Sequence, residues 1–286
     1  MFVLPLAAVA AYAVLEGWKS RGGVWRRPLQ DWLLEVLCLV LLPGLVVPAI
    51  SFAAAALLGR WAPSAAGALS GWPWPAMALA FLVVDDLSQY LWHRLSHSTP
   101  LLWRLHRAHH AAPKMGVNVT FRNNLFYYIF MPGLWLSPVL VYLGMGAVYP
   151  WYVALKILVI AGAHSELRYD RLLWRSRWTR PLAWVIERLF STPATHFAHH
   201  GLHEGDPGTH YRGNYGNMLF IWDMLFGTAR ITRRYPESFG IENEPARPWT
   251  TQLFWPLVPD RAEQAGAEPA VRGLEGRRSL SMDGVD

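Results

Sequence analysis

The hydrophobic positions of this chain are gathered into long runs rather than spread along it: Phe2 to Leu15, Trp32 to Leu58, Trp72 to Trp92, Leu125 to Tyr149 and Trp151 to Ala163. A helix rises about 1.5 Å per residue, so about twenty apolar residues cross the hydrocarbon of a bilayer. The runs therefore predict four to five apolar membrane helices. Pro43 and Pro48 bend the second run without excluding it, because a spanning helix tolerates proline where neighbours satisfy the freed backbone. The last two runs are joined so tightly that a hairpin or a bent re-entrant pair is expected, and Lys156 makes the final one the least regular. No basic residue precedes the first run, so despite its Ala-x-Ala spacing an uncleaved short anchor is expected rather than a signal peptide.

From about residue 165 the pattern changes, with Arg, Pro, Gly and His interrupting the apolar positions. The fold class read from this asymmetry is an all-α integral membrane protein with a water-facing helical cap. Many of the 16 tryptophans stand at the ends of the apolar runs, among them Trp18, Trp32, Trp72, Trp92 and Trp151, where an amphipathic ring suits the headgroup layer. Between Arg168 and Arg180 arginines alternate with Leu and Trp, the pattern of a helix lying on a membrane surface. Beyond Pro259 the chain turns polar, and its tail is expected to be disordered. These changes suggest N-terminal membrane helices over 1–78, a central region over 79–230 and a C-terminal cytosolic segment over 231–286. No internal repeat is present.

Charge adds an orientation. Lys19, Arg21, Arg26 and Arg27 lie between the first two runs and only Arg60 between the second and third, which makes the first loop cytoplasmic. Counting crossings then places residues 93–123 and everything after His164 on the cytoplasmic side. The net charge of +6 comes from scattered residues with no nucleic-acid motif, so it points to an anionic membrane surface and not to nucleic acid. Arg far outnumbers Lys, and together these features suggest a bacterial inner membrane. The one cysteine, Cys38, sits in an apolar run; an internal disulfide, a thiolate zinc site and an iron–sulfur cluster are all excluded.

All eleven histidines lie between positions 93 and 210. Nine form the series His93-x-x-x-His97, His106-x-x-His109-His110, a single His164, and His196-x-x-His199-His200. Residues three or four apart share a helix face, so each cluster can aim two or three imidazoles at one small volume. One such pair is weak evidence for a metal, but three clusters on one side of a membrane are strong. Imidazole suits iron, zinc, copper and nickel alike. Nine nitrogens exceed what one zinc takes and would give two metals four or five each, with positions left for O2 or water. His203 and His210 follow in a Gly-rich loop and stay outside this set. Asp86, Tyr90, His93 and His97 form one helical stripe, and a carboxylate in an apolar span marks Asp86 as a partner that orients a ligand imidazole.

The three clusters, the run Leu-Trp-Arg-Leu-His at 102–106, and Asn214-Tyr-Gly followed by Trp222-Asp223-x-Leu-Phe-Gly-Thr228 resemble the sterol desaturase and fatty acid hydroxylase superfamily, over roughly Leu79 to Arg230. The resemblance implies a helical membrane enzyme whose cytosolic cap holds a di-iron centre on the nine histidines, makes 79–230 its catalytic domain, and assigns no catalytic residue beyond the metal centre. It implies an O2-dependent hydroxylase or desaturase of a fatty acyl, sterol or related lipid. The eight residues between His97 and His106 are far shorter than the insert usual in acyl-CoA desaturases, which favours hydroxylase-like relatives. Asn214 and Asp223 look like residues that close the site and orient imidazoles. Arg104, Arg107, Lys114 and Arg122 are candidates for an anionic headgroup. With no dinucleotide fingerprint or cysteine pair in the chain, electrons are expected from a separate reductase or carrier protein. A membrane haem protein carrying electrons, a zinc-dependent hydrolase and a metal carrier without catalysis are the competing readings. The first would need single histidines deep in facing spans, and the second a motif such as His-Glu-x-x-His, absent here.

Overall fold

The computed structural model describes residues 3–264. Among these residues there are twelve helices, three short 3₁₀ turns and no sheet. Six helices build the bundle: α1 (Val3–Lys19), α2 (Leu29–Trp61), α3 (residues 74–96), α4 (Pro100–His110), α5 (Leu125–Met145) and α6 (Tyr149–His164). The cap adds α7 (Tyr169–Arg175), α8 (Arg180–Leu189), α9 (Pro193–His200), α10 (Ile221–Phe226), α11 (Trp249–Phe254) and α12 (Arg261–Gln264).

Of the four to five membrane helices expected, two are long and apolar enough to cross a membrane: α2, with 33 residues, and α5, with 21. The shortfall has a physical cause. α1 and α6 run for only 17 and 16 residues, and α3 carries Asp85 and Asp86 in its middle. On α2, Val40, Leu45 and Phe52 all turn more than half of their surface outward, which is what a lipid-facing helix does and a core helix does not.

α1 lies along α6, the second half of α2 along α5, and α3 against both α5 and α6. Met77 and Phe81 from α3 meet Leu140 and Met145 from α5, Tyr152 from α6 and Met218 from the cap in the largest buried cluster. Three places in the bundle contain a widened, π-type turn: residues 42–46 at Pro43, residues 82–86 around the two aspartates, and residues 141–145. The last contains Gly144 at φ +110°, where a Cβ would lie 2.7 Å from Ser70 N, so only glycine fits.

The C-termini of α1, α3 and α6 and the N-termini of α2 and α5 meet at one end. Lys19 donates to the carbonyls of Glu166 and Leu167 just past α6, and Asp31 at the start of α2 pairs with Arg122 just before α5. The single surface helix expected over 168–180 is instead α7 and α8. The chain is extended at Ser176, and Pro181 opens the new helix. Leu172 on α7, Leu182 and Trp184 on α8, and Trp178 in the turn between them are exposed. The expected disorder beyond Pro259 does not begin at once: Asp260 accepts from Arg107 and Arg247, and Glu263 pairs with Arg104 and Arg107. Residues 265–286 of that tail lie outside the described residues.

Candidate metal centre

The histidines converge at the end where α3, α4, α6 and α9 meet. Thr99 and Pro100 start α4 in the manner typical of a helix N-terminus. A capping box starts α9: the Thr192 side chain accepts from Thr195 N, and the Thr195 hydroxyl accepts from Thr192 N. Asp170 accepts from the next free amide, Ala194 N, so the helix bearing three histidines is fixed at its first turn.

All nine histidines singled out by spacing are buried, and they divide into two groups. His93, His97, His106, His110 and His199 form one, and His109, His164, His196 and His200 the other; within each, the available ligand nitrogens lie within 4.8 Å of one another. The division follows helical geometry. Pairs four apart stay together (93 with 97, 106 with 110, 196 with 200), whereas the residue one step from each pair, His109 or His199, turns toward the other group. The groups share a wall where His110 and His200 stack with ring centroids 4.3 Å apart.

Ring tautomers make the case for cations. A carbonyl oxygen only accepts, so each Nδ1 facing one carries the proton: His93 donates to Tyr215 O at 2.7 Å, His199 to Gly213 O at 2.8 Å, His109 to Arg122 O at 3.0 Å and His164 to Ile160 O at 2.8 Å. The Nε2 lone pairs of these rings then face each other, His93 against His199 at 3.0 Å and His109 against His164 at 3.4 Å. Two lone pairs at that separation repel unless a cation lies between them. Two imidazoles bound at about 2.1 Å and 90° to one another would place their nitrogens about 3.0 Å apart. The pairs His164–His196 at 2.9 Å and His196–His200 at 3.1 Å repeat the spacing. The donor set thus fits two metal ions, five imidazoles for one and four for the other. Burial pushes the imidazoles of His93 and His164 down to about 4, and burial with neighbouring imidazoles pushes His106, His109, His110, His196 and His200 well below their ordinary value. Neutral rings are the ligand form.

The surrounding polar residues act one step further out than the spacing suggests. Asp86 does not reach an imidazole; its Oδ2 accepts from Trp222 Nε1 at 2.8 Å and Leu219 N at 3.2 Å. Asp223 accepts from Tyr215 N, Gly216 N and the Thr228 hydroxyl, and Asn214, at φ +57°, bonds Thr195 O, Arg230 O and Arg230 N. All three hold the 213–223 segment, and it is the carbonyls of Gly213 and Tyr215 in that segment that receive the imidazole N–H groups. Backbone carbonyls carry no mark in a sequence, which is why this support could not be read there. Asn123, whose amide faces His106 Nδ1 at 3.3 Å, and Tyr127, stacked on the same ring at 4.6 Å, were also missed. The Arg-Asn-Asn run before an apolar stretch was the one available signal.

Of the four residues expected to meet a headgroup, Arg107 and Arg122 are committed elsewhere. Arg107 is buried against Asp260 and Glu263, and Arg122, 1% exposed, bonds Asp31, Glu35, Gln252 and Ala108 O. Arg104 is partly exposed beside Glu263 and Trp255. Lys114 is exposed, donates to Arg26 O, and lines a polar cavity with Lys19, Arg168 and Arg171. His203 is an exposed partner of Glu242, and His210 faces Thr228 O; neither joins the two groups.

A second cavity is mostly apolar. It runs between α1, α2, α5 and α6 past Val9, Leu42, Leu134 and Ile157, and ends on His106, His109 and His164.

A helical bundle thus closes one end over two buried all-histidine groups, and an apolar cavity leads to them. Residues 78–228 match the family described as Fatty acid hydroxylase. The chain is 30% identical over 203 residues to ornithine lipid hydroxylase OlsE of Rhizobium tropici, covering 69% of this chain and 56% of that protein. It is 30% identical to alkylglycerol monooxygenase of Danio rerio over 56% of this chain and 31% of that protein, and 28% identical to fatty acid hydroxylase vlmA of Lecanicillium sp over 56% and 44%. The protein belongs to the fatty acid hydroxylase family. It spans about half or less of the length of these curated relatives. No solved structure matches it.

Proposed function

We propose that the protein is a membrane-bound di-iron oxidoreductase that uses O2 to hydroxylate, or desaturate, a lipid. The observation that carries this is the meeting of the apolar cavity with both histidine groups: His106 of one and His109 and His164 of the other form its end wall. His93, His97, His106, His110 and His199 would hold one iron, and His109, His164, His196 and His200 the other. Bound iron supplies the capacity to reduce O2 and attack an unactivated C–H bond. Hydroxylation balances as RH + O2 + 2 electrons + 2 protons giving ROH + H2O, so an electron donor is required. A separate reductase or carrier protein is the donor proposed, because this chain carries no redox-cofactor motif.

The chain's own residues bind, orient and exclude. Gly213, Tyr215, Arg122 and Ile160 fix the ring tautomers through their carbonyls. Trp103 and Tyr127 cover the five-histidine group and keep bulk water away. The aliphatic cavity wall would align a chain with its reactive carbon toward the metals, and the outward apolar face of α2 supports a cavity at membrane depth. The names of the relatives, which act on ornithine lipids, alkylglycerols and fatty acids, favour a lipid with a polar head. Lys114, in its polar cavity at the histidine end, is the remaining headgroup candidate, with Arg104 at the edge. Lys19 and Arg26 are at that same end, which supports a cytoplasmic site on a bacterial inner membrane.

The test is metal content of the detergent-purified protein expressed with iron, beside His109→Ala/His110→Ala, followed by O2 consumption with candidate lipids and a reductant. About two irons per chain, lost in the variant, together with lipid-dependent O2 uptake, is the expected result. Stoichiometric haem, or metal retained in the variant, overturns the proposal.

A further inference from the structure

The helices around the apolar cavity form a ring that does not close. α1 packs along α6, α6 against α3, α3 against α5, and α5 along the second half of α2. Among the described residues the remaining neighbours, α1 and α2, are not packed in this way. Leu6 and Val9 of α1 and Leu42, Pro43 and Val47 of α2 nevertheless line the same cavity. A seam is therefore left between these two helices. Its histidine end is roofed by Phe121, from the turn over residues 117–121, which packs both in the cluster of Val9 and Ala161 and in that of Leu34 and Cys38. Below that roof α2 makes its widened turn at 42–46, and Leu42 and Pro43 of the turn face the cavity.

The edges of the seam suit hydrocarbon. Leu6 lines the cavity and is still 43% exposed, and Val14 on α1 and Val40 and Leu45 on α2 also turn outward. Neither α1 from Val3 to Leu15 nor α2 from Val36 to Gly59 carries a charged residue. Helical backbone is bonded internally, so an opening between two helices exposes little polar surface to lipid.

We propose that the seam between α1 and α2 is the portal through which the acyl chain of a lipid enters sideways from the bilayer, its polar head staying outside at the histidine end. This rests on the reading of the cavity as the lipid site. Val9 packs beside Ile157, which lies seven residues before His164, so the seam opens about 10 Å from the histidines. A chain passes below Phe121 into the cavity, whereas a charged head would have to cross an apolar seam. The portal thus admits chains already resident in the leaflet.

The experiment clamps the seam. The full chain, iron-loaded and in nanodiscs, carries Leu6→Cys/Leu42→Cys, with the native Cys38 left in place because it is buried. A bis-thiosulfonate reagent joins the two new thiols, and a thiol reductant releases them. A palmitic acid analogue with a diazirine in its chain is then added and illuminated, and its adducts are located by mass spectrometry. The unclamped protein should be labelled at Tyr128 and Met131, which are buried and line the cavity, and at Phe52, which faces outward. With about nine-tenths of the chains clamped, the adducts at Tyr128 and Met131 should fall about tenfold, in proportion to the open fraction, and return on reduction, while those at Phe52 stay constant. Leu6→Trp fills the mouth from a residue already partly exposed and should lower the same two adducts; it decides the matter if the clamp does not form. Internal adducts that persist in the clamped protein, or in Leu6→Trp where no clamp forms, overturn the portal and leave the cavity as the lipid site. Labelling of Phe52 with none inside the unclamped protein overturns the portal and the lipid reading of the cavity together.

Discussion

Asp223 offers a test that divides the metal centre in two. Its carboxylate is fully buried and accepts from Tyr215 N at 2.8 Å, Gly216 N at 2.6 Å and the Thr228 hydroxyl at 2.6 Å. In Asp223→Ala the hydroxyl retains Tyr90 at 2.9 Å, but two backbone N–H groups lose their acceptor in a closed site. At about 1–3 kcal/mol each, the loss is about 2–6 kcal/mol, concentrated in the segment whose Gly213 and Tyr215 carbonyls orient His199 and His93. Both of those histidines belong to the five-member group. The four-member group takes its carbonyls from Arg122 and Ile160, on other elements. Removing such outer support lowers metal affinity about 10-fold to 100-fold, so one of two sites should weaken by that factor and the other should not move. Iron retained against a graded chelator, read beside thermal unfolding, measures this. Two sites that weaken equally, or a two-site profile identical to wild type, would show that the segment does not orient the five-histidine group.

Further outcomes follow from the same geometry. His109→Ala alone should weaken the four-histidine site and His110→Ala alone the five-histidine site, although the residues are adjacent; chelator titration of the two single variants would show it. Because the folded-state values of His93 and His164 fall to about 4, below the ordinary ~6.5, the unfolded chain binds more protons between those limits. Stability of the metal-free protein is then full above about pH 6.5 and falls as pH drops toward 4, by about 3 kcal/mol for each of these two rings, which unfolding at a series of pH values would read. Arg122→Ala leaves Asp31 without its cation and Glu35 with Arg27 alone, and should cost about 3–5 kcal/mol, visible as a lowered Tm. Arg122→Lys should recover only part of that, since one ammonium cannot span Asp31, Gln252 and Ala108 O together.

The histidines were legible because their chemistry and their spacing coincide. An imidazole every third or fourth residue in three places has little structural use, and the structure brings all nine into two groups. How those nine divide was latent only in part: pairs four apart stay together, and the split falls between the adjacent residues His109 and His110 and His199 and His200, whose side chains point about 100° apart around the helix. The outer support was not legible. Asp86, Asn214 and Asp223 stand out as polar residues in apolar or loop surroundings, yet each binds backbone, and the groups touching the imidazoles are carbonyls that any residue supplies. Arg107 and Arg122 misled for a related reason. A basic residue beside a metal cluster looks available for an anion until Asp260, Glu263, Asp31 and Glu35 arrive from distant parts of the chain. Helix number was legible only in part, because α1 and α6 run three and four residues short of about twenty and α3 carries two carboxylates.

The length of α2 ties the site to its surroundings. Its 33 residues extend about 50 Å, against a hydrocarbon layer of about 30 Å, so as a membrane span it must tilt or project. The projecting first turns carry Asp31 and Glu35, which grip Arg122, and the carbonyl of Arg122 holds the His109 ring. A thinner bilayer that tips this rod therefore pulls on one corner of the four-histidine group. The host membrane becomes a mechanical input to the histidine site, and under the proposed function the protein is exposed to the thickness of the very layer whose lipids it would modify.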